Sequence, residues 1–433
     1  MLATEAGGNP LGRATGCRDV ESAAARCSRL HAANVAAEAR TKSAVGFIAM
    51  SDTWIDALLS PSGQALLADL APEALDAKTE LSVISRLRAK YPAELVSAAV
   101  TQIKLRRRAR DKFTHADRMY FTAPGLEQAS SERMADHHAR RFASFDRMMD
   151  LCSGIGGDLV GLARDRRVTA ADFDPIHSRL GVLNAEVNGV APNVDAVCAD
   201  VRELNYGDVT AAFIDPARRS SEGRMRAGES EPPLEWCFAL ASRGVALGIK
   251  ASPALPVDVV PEGWELEFVS ERRELKASVL WSPDIATHRR RATLLGDAVH
   301  TLVEEDAGAI AVKPPGAFLL DPDPAVTRAG LVETLGARVD AWKIDEQVAF
   351  LSADHSMETP FGRSMKVEAS IPWSLNRLKE SLRSLDVGTV DIRKRGSAVD
   401  VDAIQRRLKL SGTRQATVVL TRVADQPWAM VCT

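Results

Sequence analysis

The chain has 433 residues, enough for two or three domains each with its own core, and its 45% hydrophobic and 26% charged composition is ordinary for a globular protein. A formal net charge of -3 excludes a uniformly basic nucleic-acid binder, so any affinity for nucleic acid has to reside in local patches. No apolar run approaches the ~18 residues of a membrane helix, and the six cysteines show no C-x-x-C or Cys/His zinc spacing, so a cytoplasmic, reducing setting without metal or membrane is expected.

Residues 1–49 are rich in Ala, Gly, Arg and Ser without apolar periodicity; they read as disordered, or as the product of a start codon placed upstream of Met50. Residues 50–140 read as a helical domain, broken at Ser60-Pro61 and Ala71-Pro72, with Leu81, Ile84 and Leu87 at three-residue intervals. Within it, Lys104 to Phe113 is a dense basic run, either a solvated helix face or a phosphate-contacting surface.

Residues 141–290 carry the strongest signal. In Met149-Asp150-Leu151-Cys152-Ser153-Gly154-Ile155-Gly156-Gly157-Asp158 a glycine-rich turn joins a short apolar strand to a helix, which reads as a cofactor cradle. Asp172 closes the next strand about 20 residues on, the distance of a ribose-binding carboxylate in a β-α-β nucleotide site. The spacing is G-x-G-G rather than G-x-G-x-x-G, and Asp158 follows where a pyrophosphate would avoid negative charge. A nucleoside ligand without phosphates, of the S-adenosylmethionine kind, is therefore favoured. Two further strands end in acids: Val194 to Asp200, and Ala211 to Asp215, the latter continuing Pro216-Ala217-Arg218-Arg219. Ligands bind at the strand ends of open parallel sheets, although each aspartate taken singly can be a cap or turn residue. Loop 218–231 reads as a lid. The strands Val245–Lys250, Leu266–Val269 and Ala277–Trp281 suit completion of a seven-stranded sheet with an antiparallel edge hairpin.

After Arg289-Arg290-Arg291 the composition shifts, and 291–433 reads as a C-terminal α/β region. Strands are expected at Ala309–Val312 and Val348–Leu351, and a compact module at 364–433 running strand, helix, strand, basic turn, helix, strand. Its Arg393, Lys394, Arg395, Arg406, Arg407, Lys409 and Arg414 either line one RNA-docking face or are solvated charges.

Residues 148–220 resemble the core of class I S-adenosylmethionine-dependent methyltransferases, most closely the trimethylguanosine synthase-type RNA cap enzymes. The resemblance rests on Asp150 to Asp158, Asp172-Phe173-Asp174-Pro175, Asn184-Ala185-Glu186-Val187-Asn188-Gly189 and Asp215-Pro216. The whole chain is similar to bacterial methyltransferase-like proteins with a THUMP-like C-terminal domain. The resemblance implies an α/β fold, with a Rossmann-like seven-stranded methyltransferase sheet, an N-terminal helical domain and a small C-terminal α/β module. It implies that Asp150, Gly154, Gly156 and Gly157, with Cys152 in the same turn, hold the methionine end of the cofactor, Asp172 its ribose and Asp200 its adenine. Asp215 and Pro216 would be catalytic, Arg218 and Arg219 would contact substrate, and Phe121 and Thr122 match an aromatic-Ser/Thr-Pro element that covers the pocket. The Asn/Asp/Ser-Pro-Pro-aromatic motif of amino-directed enzymes reads Asp-Pro-Ala-Arg here, which leaves the acceptor atom open. The expected function is methylation of a base in RNA; the alternative is an RNA-binding protein that keeps the fold and has lost turnover.

Overall fold

The computed structural model describes residues 53–433 except 218, 221, 222, 225–229 and 307; side chains are described outside 218–229. The expectations for residues 1–49 and most of loop 218–231 therefore lie outside the described residues. Two compact units divide the chain between Thr101 and Gln102.

The first unit is helical: α1 (Thr53–Leu59), α2 (Pro61–Leu70), α3 (Glu80–Arg88) and the first half of α4 (Ala93–Ala109). Ser60-Pro61 starts α2 rather than merely interrupting a helix. The Ser60 hydroxyl accepts from the Gly63 amide at 3.1 Å, and Pro61 occupies the first turn, where its missing N–H costs nothing. Ile55, Leu58, Leu66 and Leu70 are fully buried.

The second unit opens with the end of α4, then α5 (Ala123–Gln128) and α6 (Glu132–Arg141), and continues into a nine-stranded sheet. Its elements are β1 (Arg147–Leu151), α7 (Gly157–Leu162), β2 (Arg167–Asp172), α8 (Pro175–Val187), β3 (Val194–Cys198), β4 (Ala211–Ile214), α9 (Leu234–Ala241), β5 (Ala246–Ala251), β6 (Glu265–Glu271), β7 (Glu274–Trp281), β8 (Arg290–Leu295) and β9 (Val299–Val303). The strand order is β3-β2-β1-β4-β5-β7-β6-β8-β9. Strands β1 to β5 pair in parallel and β7 runs antiparallel to both β5 and β6. Leu151, Phe213, Ile214, Leu247 and Ile249 are wholly inaccessible, and burial of each such side chain is worth about 1.5–3 kcal/mol.

The β8–β9 hairpin extends the expected seven strands to nine, so the boundary expected at 290 falls inside this sheet. Arg289-Arg290-Arg291 marks the composition shift in the sequence, yet Arg291 Nε lies 2.6 Å from Glu265, a buried carboxylate that also takes Arg141 at 2.8 Å. A charge run serving an internal counter-ion is indistinguishable, as composition, from a solvated one.

The remaining chain forms β10 (Phe318–Pro322), α10 (Pro324–Ala329), α11 (Val332–Arg338), β11 (Trp342–Lys343), β12 (Leu351–Ala353), β13 (Gly362–Pro372), α12 (Leu375–Ser384), β14 (Val387–Lys394), α13 (Val401–Leu408), β15 (Arg414–Val423) and β16 (Gln426–Cys432). They build a second, seven-stranded sheet ordered β11-β12-β10-β13-β16-β15-β14. β16 was not anticipated, and Val312 makes only an isolated bridge to Lys343. Helices α12 and α13 place Leu378, Leu382, Ile404 and Leu408 over this sheet. Among the described residues no helix is long and apolar enough to cross a membrane, and no His/Cys/Asp/Glu group could hold a metal.

Candidate functional site

Register brings the acidic strand ends together. Leu151 on β1 lies opposite Ala171 on β2 and Ile214 on β4, and Ile214 lies opposite Ile249 on β5. The residues one step further along β4 and β5, Asp215 and Lys250, therefore emerge side by side. A cavity of about 390 Å³ opens at this edge, walled by the 125–130 segment, the glycine turn, Asp172 to Asp174, His177, Asp215 to Ala217 and Glu231.

The turn needs its glycines. Gly156 has φ 86°, and a Cβ there would come within 3.2 Å of Gly181 Cα on α8, while Gly154, at φ 55°, faces open space. Asp172 fastens the turn: its Oδ2 accepts from the Gly154 amide at 2.7 Å and its Oδ1 from the Asp174 amide at 2.9 Å. Burial raises its pKa, and the two amides offset part of that effect. Asn184, fully buried on α8, joins the turn to the preceding wall. Its amide donates to Tyr120 O at 3.0 Å and Ile155 O at 2.8 Å, and its oxygen accepts from Tyr120 N at 2.8 Å. Lys112 secures the other end of that wall by donating to Leu126 O and Ala129 O, both at 2.8 Å. Burial, with Lys250 and Lys276 nearby, pushes its pKa down to about 8.

Of the five aspartates that line the cavity among the described residues, Asp150, Asp158 and Asp215 differ sharply in their partners. Asp150 is 1% exposed and its Oδ2 has no hydrogen-bond partner. Burial, followed by the charges of Asp158, Asp215 and Asp172, raises its pKa well above the ordinary carboxylate value. Asp158 is also buried but fully engaged: Ser130 Oγ and His138 Nδ1 each lie at 2.7 Å and Lys250 Nζ at 3.8 Å. Burial opposes its ionisation, but Lys250 and His138 outweigh it and hold the pKa down at about 2. The Lys250 ammonium, 4% exposed, sits 2.5 Å from Asp215 Oδ2, whose side chain keeps 22% exposure.

Of the residues expected at the cofactor, Asp150, Cys152, Gly154, Gly157 and Asp172 line the cavity, as do Asp215 and Pro216. Gly156 lies behind the lining, packed on α8. Asp200 lies outside it: its carboxylate accepts from the Arg202 amide and grips the Arg202 side chain at 2.6 Å, which lowers its pKa. Phe121 is a core residue, 1% exposed, with its ring against Phe113. Thr122 caps α5, accepting from the Gly125 amide at 3.0 Å, and so shapes the wall without lining the cavity. The side chains of Arg218 and Arg219 lie outside the described residues.

The basic run at 104–113 is mixed: Arg106 is buried, Lys104, Arg107 and Lys112 are half-buried, and Arg108 and Arg110 are exposed. Arg106 is 8% exposed and donates to Met119 O, and Arg110 pairs with Asp117. In the C-terminal region, Arg393 and Arg395 both grip buried Asp321, at 2.7 and 3.2 Å.

Sequence reasoning missed Lys250, His138 and Phe173. The signal for Lys250 was a charge closing the apolar run Val245–Ile249 at the same sheet edge as Asp215. Phe173 follows the ribose candidate and lines the cavity while 72% exposed. Nothing in the sequence tied His138 to Asp158 across 20 residues.

Comparison with known proteins agrees with this geometry. A family model described as RNA cap guanine-N2 methyltransferase matches residues 145–228, one described as THUMP domain-like matches 362–433, and a domain of unknown function matches 53–109. Two proteins from Mycobacterium tuberculosis, strains H37Rv and CDC 1551, each named as an uncharacterized S-adenosylmethionine-dependent methyltransferase, are 34% identical over 334 residues, covering 74% of this chain and 90% of each relative. A Porphyromonas gingivalis W83 protein solved as a candidate methyltransferase shares the fold, with a TM-score of 0.66 and 19% identity over 83% of this chain and 99% of its own.

Proposed function

Since the chain belongs to the S-adenosylmethionine-dependent methyltransferases, we propose that it methylates an exocyclic amine of a base in RNA. The residues present fit the cofactor. Asp150 offers an unpartnered buried oxygen for the ammonium of the methionine moiety, and Gly154 leaves open the side that a Cβ would fill. Each Asp172 oxygen keeps a lone pair for a ribose hydroxyl beyond its bond to a backbone amide. Phe173 offers an exposed ring for adenine. S-adenosylmethionine supplies a methyl group on a sulfonium, open to in-line displacement by a nucleophile.

One observation carries the catalytic part: Asp215 stands at the cavity edge with one oxygen held by Lys250. A carboxylate so anchored accepts an N–H from the amine and turns its lone pair toward the reacting carbon, which is orientation rather than strong general-base catalysis. Pro216 fixes the backbone that follows. RNA as the acceptor class is supported by the two matched family descriptions, one at the cofactor domain and one at the C-terminal module. Arg218 and Arg219 directly follow the Asp-Pro-Ala stretch, where guanidinium planes stack on bases or fork onto phosphates. The test is transfer of labelled methyl from S-adenosylmethionine to total RNA, compared with Asp215→Ala. Transfer by the parent chain and its loss in the variant are expected. Cofactor binding without transfer to any RNA fraction would favour the non-catalytic RNA-binding reading.

A further inference from the structure

Among the described residues, the titratable side chains lining the cavity are mostly acids, with His177 beside them. Asp150, Asp158, Asp172, Asp174, Asp215, Glu127 and Glu231 line it. Among the described residues, the ammonium bridging the carboxylates at its floor is Lys250, which touches Asp215 at 2.5 Å and Asp158 at 3.8 Å. The two contacts are unequal in kind. Asp158 is also held by Ser130 and His138, so it keeps polar partners without the lysine, whereas Asp215 Oδ2 takes its hydrogen bond from Lys250. Because Lys250 is almost fully buried, water screens its charge weakly, and that charge is felt across the cavity.

We propose that Lys250 is a specificity-determining residue that sets how strongly the site distinguishes cofactor from product. This rests on the reading that the cavity takes S-adenosylmethionine. Substrate and product nucleosides share adenosine and the amino-acid group and differ by one methyl and one positive charge, since methyl transfer converts a sulfonium into a neutral thioether. A cavity lined mainly by carboxylates favours the sulfonium and helps expel the thioether; a buried ammonium moderates that preference. The Asp215–Lys250 pair therefore acts as a charge balance for ligand exchange as well as a support for the acceptor-facing carboxylate.

Calorimetric titration of the full chain at pH 8 with S-adenosylmethionine and with S-adenosylhomocysteine tests this without any RNA. Lys250→Met should shift the affinity ratio toward the sulfonium by roughly tenfold, the size of one unit charge acting across ~10 Å at an effective dielectric near ~20. Asp215→Asn should shift the ratio in the opposite direction by a similar factor. The double variant, which removes both charges, should return to within about threefold of the parent, and Lys250→Arg should leave the ratio unchanged. Single variants whose ratios stay within about threefold of the parent overturn the proposal. Should Lys250→Met fail to fold, Asp215→Asn decides alone, because it leaves Lys250 paired with Asp158. A parent chain that binds neither nucleoside overturns both the cofactor reading and the proposal resting on it.

Discussion

Asp150→Asn should make the ligand-free protein more stable and the cofactor complex weaker. Asp150 is buried to 1% exposure, one of its oxygens lacks a partner, and its carboxylate neighbours are Asp158, Asp215 and Asp172. Its folded-state pKa lies well above the ordinary carboxylate value, so the folded chain binds a proton more tightly than the unfolded chain does. Stability is therefore lost as pH rises from the ordinary carboxylate pKa through the raised one, and the penalty is complete at higher pH. The amide cannot ionise. It should recover about 1–3 kcal/mol at pH 8, the range for an unsatisfied buried polar group, and little at pH 4. The same substitution removes a charge-assisted hydrogen bond to the ligand's ammonium, worth about 1.5–3 kcal/mol, so affinity should fall roughly 10- to 100-fold. Urea unfolding at the two pH values and calorimetric titration with S-adenosylmethionine measure both effects. A variant that is less stable at pH 8, or that binds the cofactor as tightly as the parent, refutes the assignment of Asp150 as a strained ammonium acceptor.

Three further outcomes follow from the geometry. Asn184→Leu deletes three buried hydrogen bonds that join Tyr120 and Ile155; it should lower stability by about 3–5 kcal/mol in urea, and a loss below ~1 kcal/mol would show that other contacts hold the wall. Gly156→Ala forces a Cβ to within 3.2 Å of Gly181 at φ 86° and should cost about 1–3 kcal/mol. By contrast Gly181→Ala, with ordinary contacts from 3.5 Å outward, should be neutral or stabilising in its helix; equal losses in thermal melts would contradict the crossing. Asp158, lowered from 3.8 to about 2, contributes stability that is full above the ordinary carboxylate value and lost as pH falls toward 2. Asp158→Asn should flatten that stretch of the acid-unfolding curve, and a curve superimposing on the parent's would show that the Lys250–His138–Ser130 cluster does not hold it.

Local sequence determined the parts of this protein whose chemistry is local. The glycine turn was legible because only particular backbone conformations join that strand to that helix, and Asp150, Asp172 and Asp215 were legible because acids closing apolar strands at regular intervals converge at one sheet edge. The strand and helix order of 364–433 came from period alone, except for β16, whose Gln426-Pro427 start masks its pattern. Tertiary structure decided what depends on partners far along the chain. Asp200 and Phe121 resembled pocket residues, yet a neighbouring arginine claims the first and the core the second. The basic runs at 104–113 and in the C-terminal module could be read as docking faces or as solvated charges, and the fold gives some of their members internal partners: Arg393 and Arg395 answer Asp321, and Lys112 answers carbonyls of the cavity wall, as Arg291 answers Glu265. A charge carries no mark of whether water or a buried carboxylate will meet it, because that depends on which strands lie side by side. The same register set Lys250 against Asp215, while burial raised the pKa of Asp150 and Asp172 and Lys250 and His138 lowered that of Asp158.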